Sequence, residues 1–92
     1  MATPYLKMVQ KTLDDIMKFD RPLNFDKLTD YVENWFKSKI DRGRFVTRAS
    51  YNKILQRKIN ATIRAIKAIG TNVDILMETN LRAQIHNRIQ AL

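Results

Sequence analysis

The cationic side chains of this 92-residue sequence are concentrated in one segment, residues 42–70, which holds eight Lys or Arg and no Asp or Glu. Before this segment there are seven basic and seven acidic residues, and after it two of each. The whole formal charge of +8 therefore comes from these residues. The chemistry that such a cluster offers is the binding of an anion.

Helical spacing orders these cations. At 100° per residue, five polar residues fall within an arc of about 80°. We call this set the basic ridge: Lys53, Arg57, Asn60, Arg64 and Lys67. An apolar stripe falls on the opposite side of the same helix: Tyr51, Leu55, Ile59, Thr62, Ile63, Ile66 and Ile69. With Arg42, Arg44 and Arg48, which precede it, the ridge supplies our candidate nucleic-acid-binding residues.

Two explanations of the ridge are open. A charged outer face keeps any amphipathic helix soluble, but mixed signs are usual because like charges at this spacing repel. Carboxylates elsewhere in the fold could neutralise the ridge: Asp14, Asp15, Asp30 or Glu33. We favour an anionic partner, and a phosphate backbone is the commonest one. A membrane surface is disfavoured, because the apolar face is needed for the core.

The residues that could catalyse a reaction are not arranged to do so. Asp14 and Asp15 are adjacent, so they lie about 100° apart on a helix. His86 has no carboxylate or nucleophile at helical spacing, and Ser38 and Ser50 have no activating partner. The chain has no Cys and one His, which excludes the usual zinc sites. We therefore predict no enzyme, cofactor or metal.

The elements that must position the ridge are helices. Hydrophobic residues make up 45% of the chain, and two Gly and two Pro leave few tight turns. We predict a single all-α or mainly α domain over 1–92 with three to four helices, the first three near 4–19, 24–38 and 47–69. Thr3, Asn24 and Thr47 are suitable N-caps, and Gly70 suits a left-handed C-cap.

The predicted core follows from the apolar positions of these helices. Its members are Leu13, Ile16, Leu28, Val32, Trp35, Leu55, Ile59, Ile63 and Ile66. Trp35 and Phe36 could instead stack on nucleic-acid bases, but adjacent aromatic residues in an apolar stripe are more typical of a core.

The last segment, residues 71–92, allows two structures. Thr71 and Asp74 could form a capping box, or the alternation at residues 73–77 could start a short β-hairpin near 73–85. Helical spacing returns at the end of the chain, in Leu81, Ile85, Ile89 and Leu92, and favours a helix. These side chains could complete the core or mediate self-association.

The stretch "KTLDDIMKFDRPLNFDKLTDYVENWF", followed by a longer basic helix, resembles the helix-turn-helix and winged-helix DNA-binding superfamily over about residues 8–70. The resemblance implies that the third helix enters the major groove and a β-wing touches phosphate. It favours DNA or chromatin over RNA, and a nuclear rather than a cytoplasmic location. No signal peptide is recognisable, so we do not expect secretion. The alternative function is a protein-interaction module that binds an acidic or apolar partner.

Overall fold

The computed structural model describes residues 4–20, 23–41, 43 and 48–92, without the side chains of Arg48 and Ala49. Four helices form in this part of the chain: α1 (Pro4–Met17), α2 (Phe25–Asp41), α3 (Arg48–Ala68) and α4 (Ile75–Gln90). The described residues contain no strand. The prediction of an all-α domain is confirmed.

Two of the predicted helix boundaries carry the hydrogen bonds expected of caps. The side-chain oxygen of Asn24 accepts from the backbone N–H of Lys27 at 2.8 Å, at the start of α2. Gly70 follows α3 with a φ of +91°, and its N–H donates to the carbonyl of Lys67. The N–H of Thr71 donates to the carbonyl of Ile66, which completes a Schellman motif. The proposed caps Thr3 and Thr47 lie outside the described residues.

The start of α4 corrects two expectations. Asp74 is the N-cap, and its carboxylate accepts from the N–H of Met77 at 2.8 Å, so Thr71 does not cap the helix. The hairpin near 73–85 is wrong, because the chain is helical from Ile75 onward. The side chains at 81, 85 and 89 explain why this segment forms a helix and not a hairpin. They lie four residues apart, so they share one face of a helix, and all three are fully buried.

The helices pack as two pairs, α1 against α3 and α2 against α4, and α3 also contacts α2 and α4. The shortest dimension of the molecule is 23 Å, about two helix diameters, which indicates two layers. The core at their interface includes most of the predicted residues: Ile16, Leu28, Val32, Leu55, Ile59, Ile63 and Ile66. Leu13 and Trp35 are only partly buried at its edge, whereas Phe36 is completely buried.

The different burial of the two adjacent aromatic residues yields a stability prediction. Phe36→Ala is expected to lower the free energy of unfolding by about 3–5 kcal/mol, because it leaves a cavity in a closed core. Phe36 also meets the ring of Tyr51 edge-on, with ring centroids 4.8 Å apart. Trp35→Ala should cost about half as much, since part of its ring is already in water. Urea unfolding of both variants checks this order, and a larger loss for Trp35→Ala would contradict it.

Candidate nucleic-acid interface

The basic ridge lies on the solvent-facing side of α3. Lys53, Asn60, Arg64 and Lys67 are exposed, and Arg57 is half-buried. Among the described residues, no carboxylate forms an ion pair with Lys53, Arg57 or Arg64. The other three candidate nucleic-acid-binding residues precede the ridge. Arg42 and Arg44 lie outside the described residues, and Arg48 begins α3 with its side chain undescribed.

Helix α4 borders the carboxyl-terminal half of the ridge. The carboxylate of Glu78 pairs with the ammonium of Lys67 at 3.2 Å and with the guanidinium of Arg82 at 3.0 Å. Hydrogen bonds from Arg82 and then from Lys67 lower the pKa of Glu78. Arg82 also donates through Nη1 to Oδ1 of Asn60 at 2.7 Å. Arg82 thus joins the ridge, although sequence reasoning did not select it. Glu78 and Arg82 are four residues apart, so the sequence indicates an ion pair between them. It does not indicate the hydrogen bond from Arg82 to Asn60, which lies on another helix.

The four carboxylates considered as neutralisers of the ridge have other partners. Arg88 of α4 donates to Asp30 at 2.7 Å and to Glu33 at 3.3 Å, and both bonds raise the pKa of Arg88. Asp14 accepts from Gln10, and Asp15 accepts from Tyr31. None of these four carboxylates therefore neutralises a charge of the ridge. Glu78 pairs only with Lys67, the last residue of the ridge.

The Asn60 contact limits how the ridge could recognise a partner. An Asn that reads adenine uses its side-chain oxygen and its amide N–H₂ together. In this structure the oxygen already accepts from Arg82. The amide N–H₂ is the part left to donate, and it can bond to a phosphate oxygen as readily as to a base.

Lys58 is the exception among the cations of α3. It lies about 140° around the helix from Lys53 at 100° per residue. Its side chain is only 1% exposed, and its Nζ donates to Thr12 Oγ1 and to Tyr31 Oη, both at 2.7 Å. The same Nζ is 4.7 Å from the ring centroids of Tyr31 and Trp35. One charge of the cationic segment is thus placed inside the domain.

The network around Lys58 connects three helices. Tyr31 accepts from Lys58 and donates to the carboxylate of Asp15 at 2.8 Å. Burial lowers the pKa of Lys58 to about 8, against a smaller opposing effect of Asp15. Burial also raises the pKa of Tyr31, and its hydrogen bond to Asp15 adds to this effect. No sequence pattern indicates this network, because its residues are far apart in the chain.

The depressed pKa of Lys58 predicts that the domain becomes more stable in mild alkali. Between about 8 and the ordinary value of 10.5, the unfolded chain binds more protons than the folded one, so rising pH favours folding. From pH 7 to 9.5 the expected gain through Lys58 is about 2 kcal/mol. The raised pKa of Tyr31 acts in the opposite sense, but only above its ordinary value of 10.0.

Urea unfolding at the two pH values measures the gain. Lys58→Met should lack the increment, whereas Lys53→Met, a change at an exposed lysine of the same helix, should keep it. Equal pH dependence in the parent and Lys58→Met would show that the ammonium is not desolvated.

Comparison of the chain with protein-family models, with curated proteins and with solved structures finds no match. None of the four helices is long and apolar enough to span a membrane. Within the described residues, no three His, Cys, Asp or Glu side chains come together as possible metal ligands.

Proposed function

We propose that this protein binds nucleic acid, with duplex DNA as the favoured form, through the basic ridge extended by Arg82. The observation that carries the proposal is the row formed by Lys53, Arg57 and Arg64. Their charges lie on one strip of α3, and no described carboxylate pairs with them. Repulsion along the row is relieved if phosphates lie against it.

The dimensions of the ridge suit a duplex. From Lys53 to Lys67 it rises about 21 Å along the helix axis, at 1.5 Å per residue. The major groove of B-DNA is about 12 Å wide, so the ridge can cross it and reach phosphates on both sides.

Contact with the phosphate backbone is better supported than base reading. The resemblance to helix-turn-helix domains implies that α3 inserts into the groove, which requires a protruding helix. Here α3 packs against α1, α2 and α4, so its exposed side chains lie on one side of the helix. The Oδ1 atom of Asn60, the one ridge side chain suited to adenine, already accepts one hydrogen bond from Arg82. We therefore propose binding that depends weakly on sequence.

A salt series tests this function. Binding of a labelled short duplex is followed by fluorescence anisotropy from low to physiological salt. With three to four phosphate contacts, log affinity should fall with log salt with a slope of about −3 to −4. Lys53→Ala should make the slope shallower by about one, as expected for one lost phosphate contact.

Lys37→Ala provides the matched control, because Lys37 is an exposed lysine of α2 that is not part of the ridge. It should leave the slope unchanged. Failure of the parent protein to bind duplex at low salt would contradict the proposal. Binding of an acidic peptide in its place would support the protein-interaction alternative.

A further inference from the structure

A second cationic feature lies away from the ridge, in a hollow of about 230 Å³ between α1 and α2. Seven residues from three helices line it: Pro4, Lys7, Met8, Lys11, Trp35, Lys39 and Lys58. Four of these are lysines, and none of the seven is acidic. Lys7 and Lys11 are exposed at its rim, and Lys58 belongs to the buried network described above.

Within the described residues no carboxylate contacts the ammonium of Lys58 directly, although the charge of Asp15 favours the protonated form of this lysine. Its two hydrogen-bond acceptors, Thr12 and Tyr31, are neutral hydroxyl groups, and Asp15 reaches it only through Tyr31. A lysine has three N–H donors, so one donor is not used by these bonds. A buried charge without an opposite charge is unfavourable. An anion in the hollow would supply both the missing charge and the third acceptor.

Other groups at the hollow add to its positive potential. Lys39 Nζ lies 5.2 Å from the centroid of the same Trp35 ring that Lys58 approaches, so two ammonium groups share one indole. The charges of Lys11 and Lys39 both disfavour the protonated form of Lys58. Pro4 is the first residue of α1 and lines the hollow, so the positive end of this helix dipole lies beside it.

We propose that this hollow binds the phosphate group of a small molecule. Its volume is below that of most drug-sized ligand sites, which suits a group of a few atoms. A larger hollow of about 730 Å³ shares Trp35 as a lining residue. Phe19 and Tyr31 also line it, together with charged residues of both signs: Lys18, Asp20, Lys27 and Asp30. The apolar part of a phosphate ester can occupy this second hollow. Free phosphate and the ester share the chemistry of the lysine site.

This site is independent of the proposed nucleic-acid interface. Lys58 faces about 140° away from the start of the ridge at 100° per residue, toward α1 and α2. Ridge variants should therefore leave phosphate binding intact, and variants of the hollow should leave the salt slope of duplex binding intact. Either proposal can fail without the other.

The single tryptophan of the chain reports on the site directly, because Trp35 lines it. Its fluorescence is titrated with inorganic phosphate and with phenyl phosphate at constant ionic strength. We expect a saturable change with both ligands. Tighter binding of phenyl phosphate would indicate an ester that uses the larger hollow, and equal binding would indicate free phosphate. No saturable change with either ligand, or the same change with sodium chloride, would overturn the proposal.

Lysine variants distinguish phosphate binding in the hollow from a general attraction of phosphate to a basic protein. Lys39→Gln should weaken phosphate binding about tenfold, the usual effect of losing one hydrogen bond to a charged group. Lys37→Gln removes an exposed lysine of the same helix that does not line the hollow, and binding should not change. Lys58→Met should abolish binding while circular dichroism shows a folded chain. Equal weakening by Lys37→Gln and Lys39→Gln would contradict the site.

Discussion

Arg57→Glu combined with Arg64→Glu is expected to abolish binding of this protein to a short DNA duplex at low salt. Each change replaces a contact with phosphate by repulsion, and a charge-assisted contact contributes about 1.5–3 kcal/mol. The combined loss of affinity should be about 10²–10⁴-fold. Arg64→Glu should leave the fold nearly unchanged, because substitutions on a surface away from packing usually alter stability by no more than about 0.5 kcal/mol. Arg57 is half-buried, so circular dichroism of the double variant checks that it is folded.

A second double variant controls for net charge. Lys18→Glu combined with Lys37→Glu changes the formal charge by the same amount, from +8 to +4, at two exposed residues outside the ridge. It should retain most of the affinity. If both double variants lose binding equally, the attraction is a property of the total charge. If the ridge variant is folded and binds as the parent does, the proposed function is wrong.

Deletion of residues 80–92 is expected to unfold the domain. The deletion removes Leu81, Ile85 and Ile89, each of which is 0% exposed in the core. Burial of one such side chain contributes about 1.5–3 kcal/mol, so three approach the whole stability of a small domain. The deletion also removes Arg88 and leaves Asp30 and Glu33 without their cation. Thermal unfolding followed by circular dichroism should show no cooperative transition.

A shorter deletion is the matched control. Ala91 and Leu92 are exposed beyond α4, so removal of residues 91–92 should leave the transition nearly unchanged. The longer deletion also separates the two roles considered for this segment. A truncated chain that still unfolds cooperatively but loses self-association would show that α4 serves an interface. In this structure the large apolar residues exposed on α4 are Ile75 and Leu76, at its amino-terminal end.

The sequence determined the features that depend on neighbouring residues. Asn24 caps α2 and Gly70 ends α3 as predicted, because a cap bonds to backbone groups within one turn. Five of the seven stripe residues of α3 are buried and four of the five ridge residues are exposed for a similar reason, since periodicity alone fixes which residues share a face. Helix ends were less certain. α2 continues to Asp41, three residues past its predicted end.

Local pattern also left real choices at the start of α4. Residues 73–77 alternate as a strand would, and both Thr71 and Asp74 are suitable caps. The burial of Leu81, Ile85 and Ile89 against the rest of the domain decided for a helix that begins at Ile75. The free energy gained by this burial depends on the apolar surface of the other three helices, so the sequence of the segment alone does not show it.

The tertiary structure alone decided where each charge is used. Lys58 and Arg57 are adjacent in sequence, yet the packing of α1 and α2 on α3 buries the first completely and leaves the second only half-buried. Arg88 takes the carboxylates of Asp30 and Glu33, so the ridge of α3 keeps its charge. Such pairs join residues tens of positions apart. Helical periodicity gives the direction of a side chain from its own axis, but the partner it meets depends on how the four helices are placed in space.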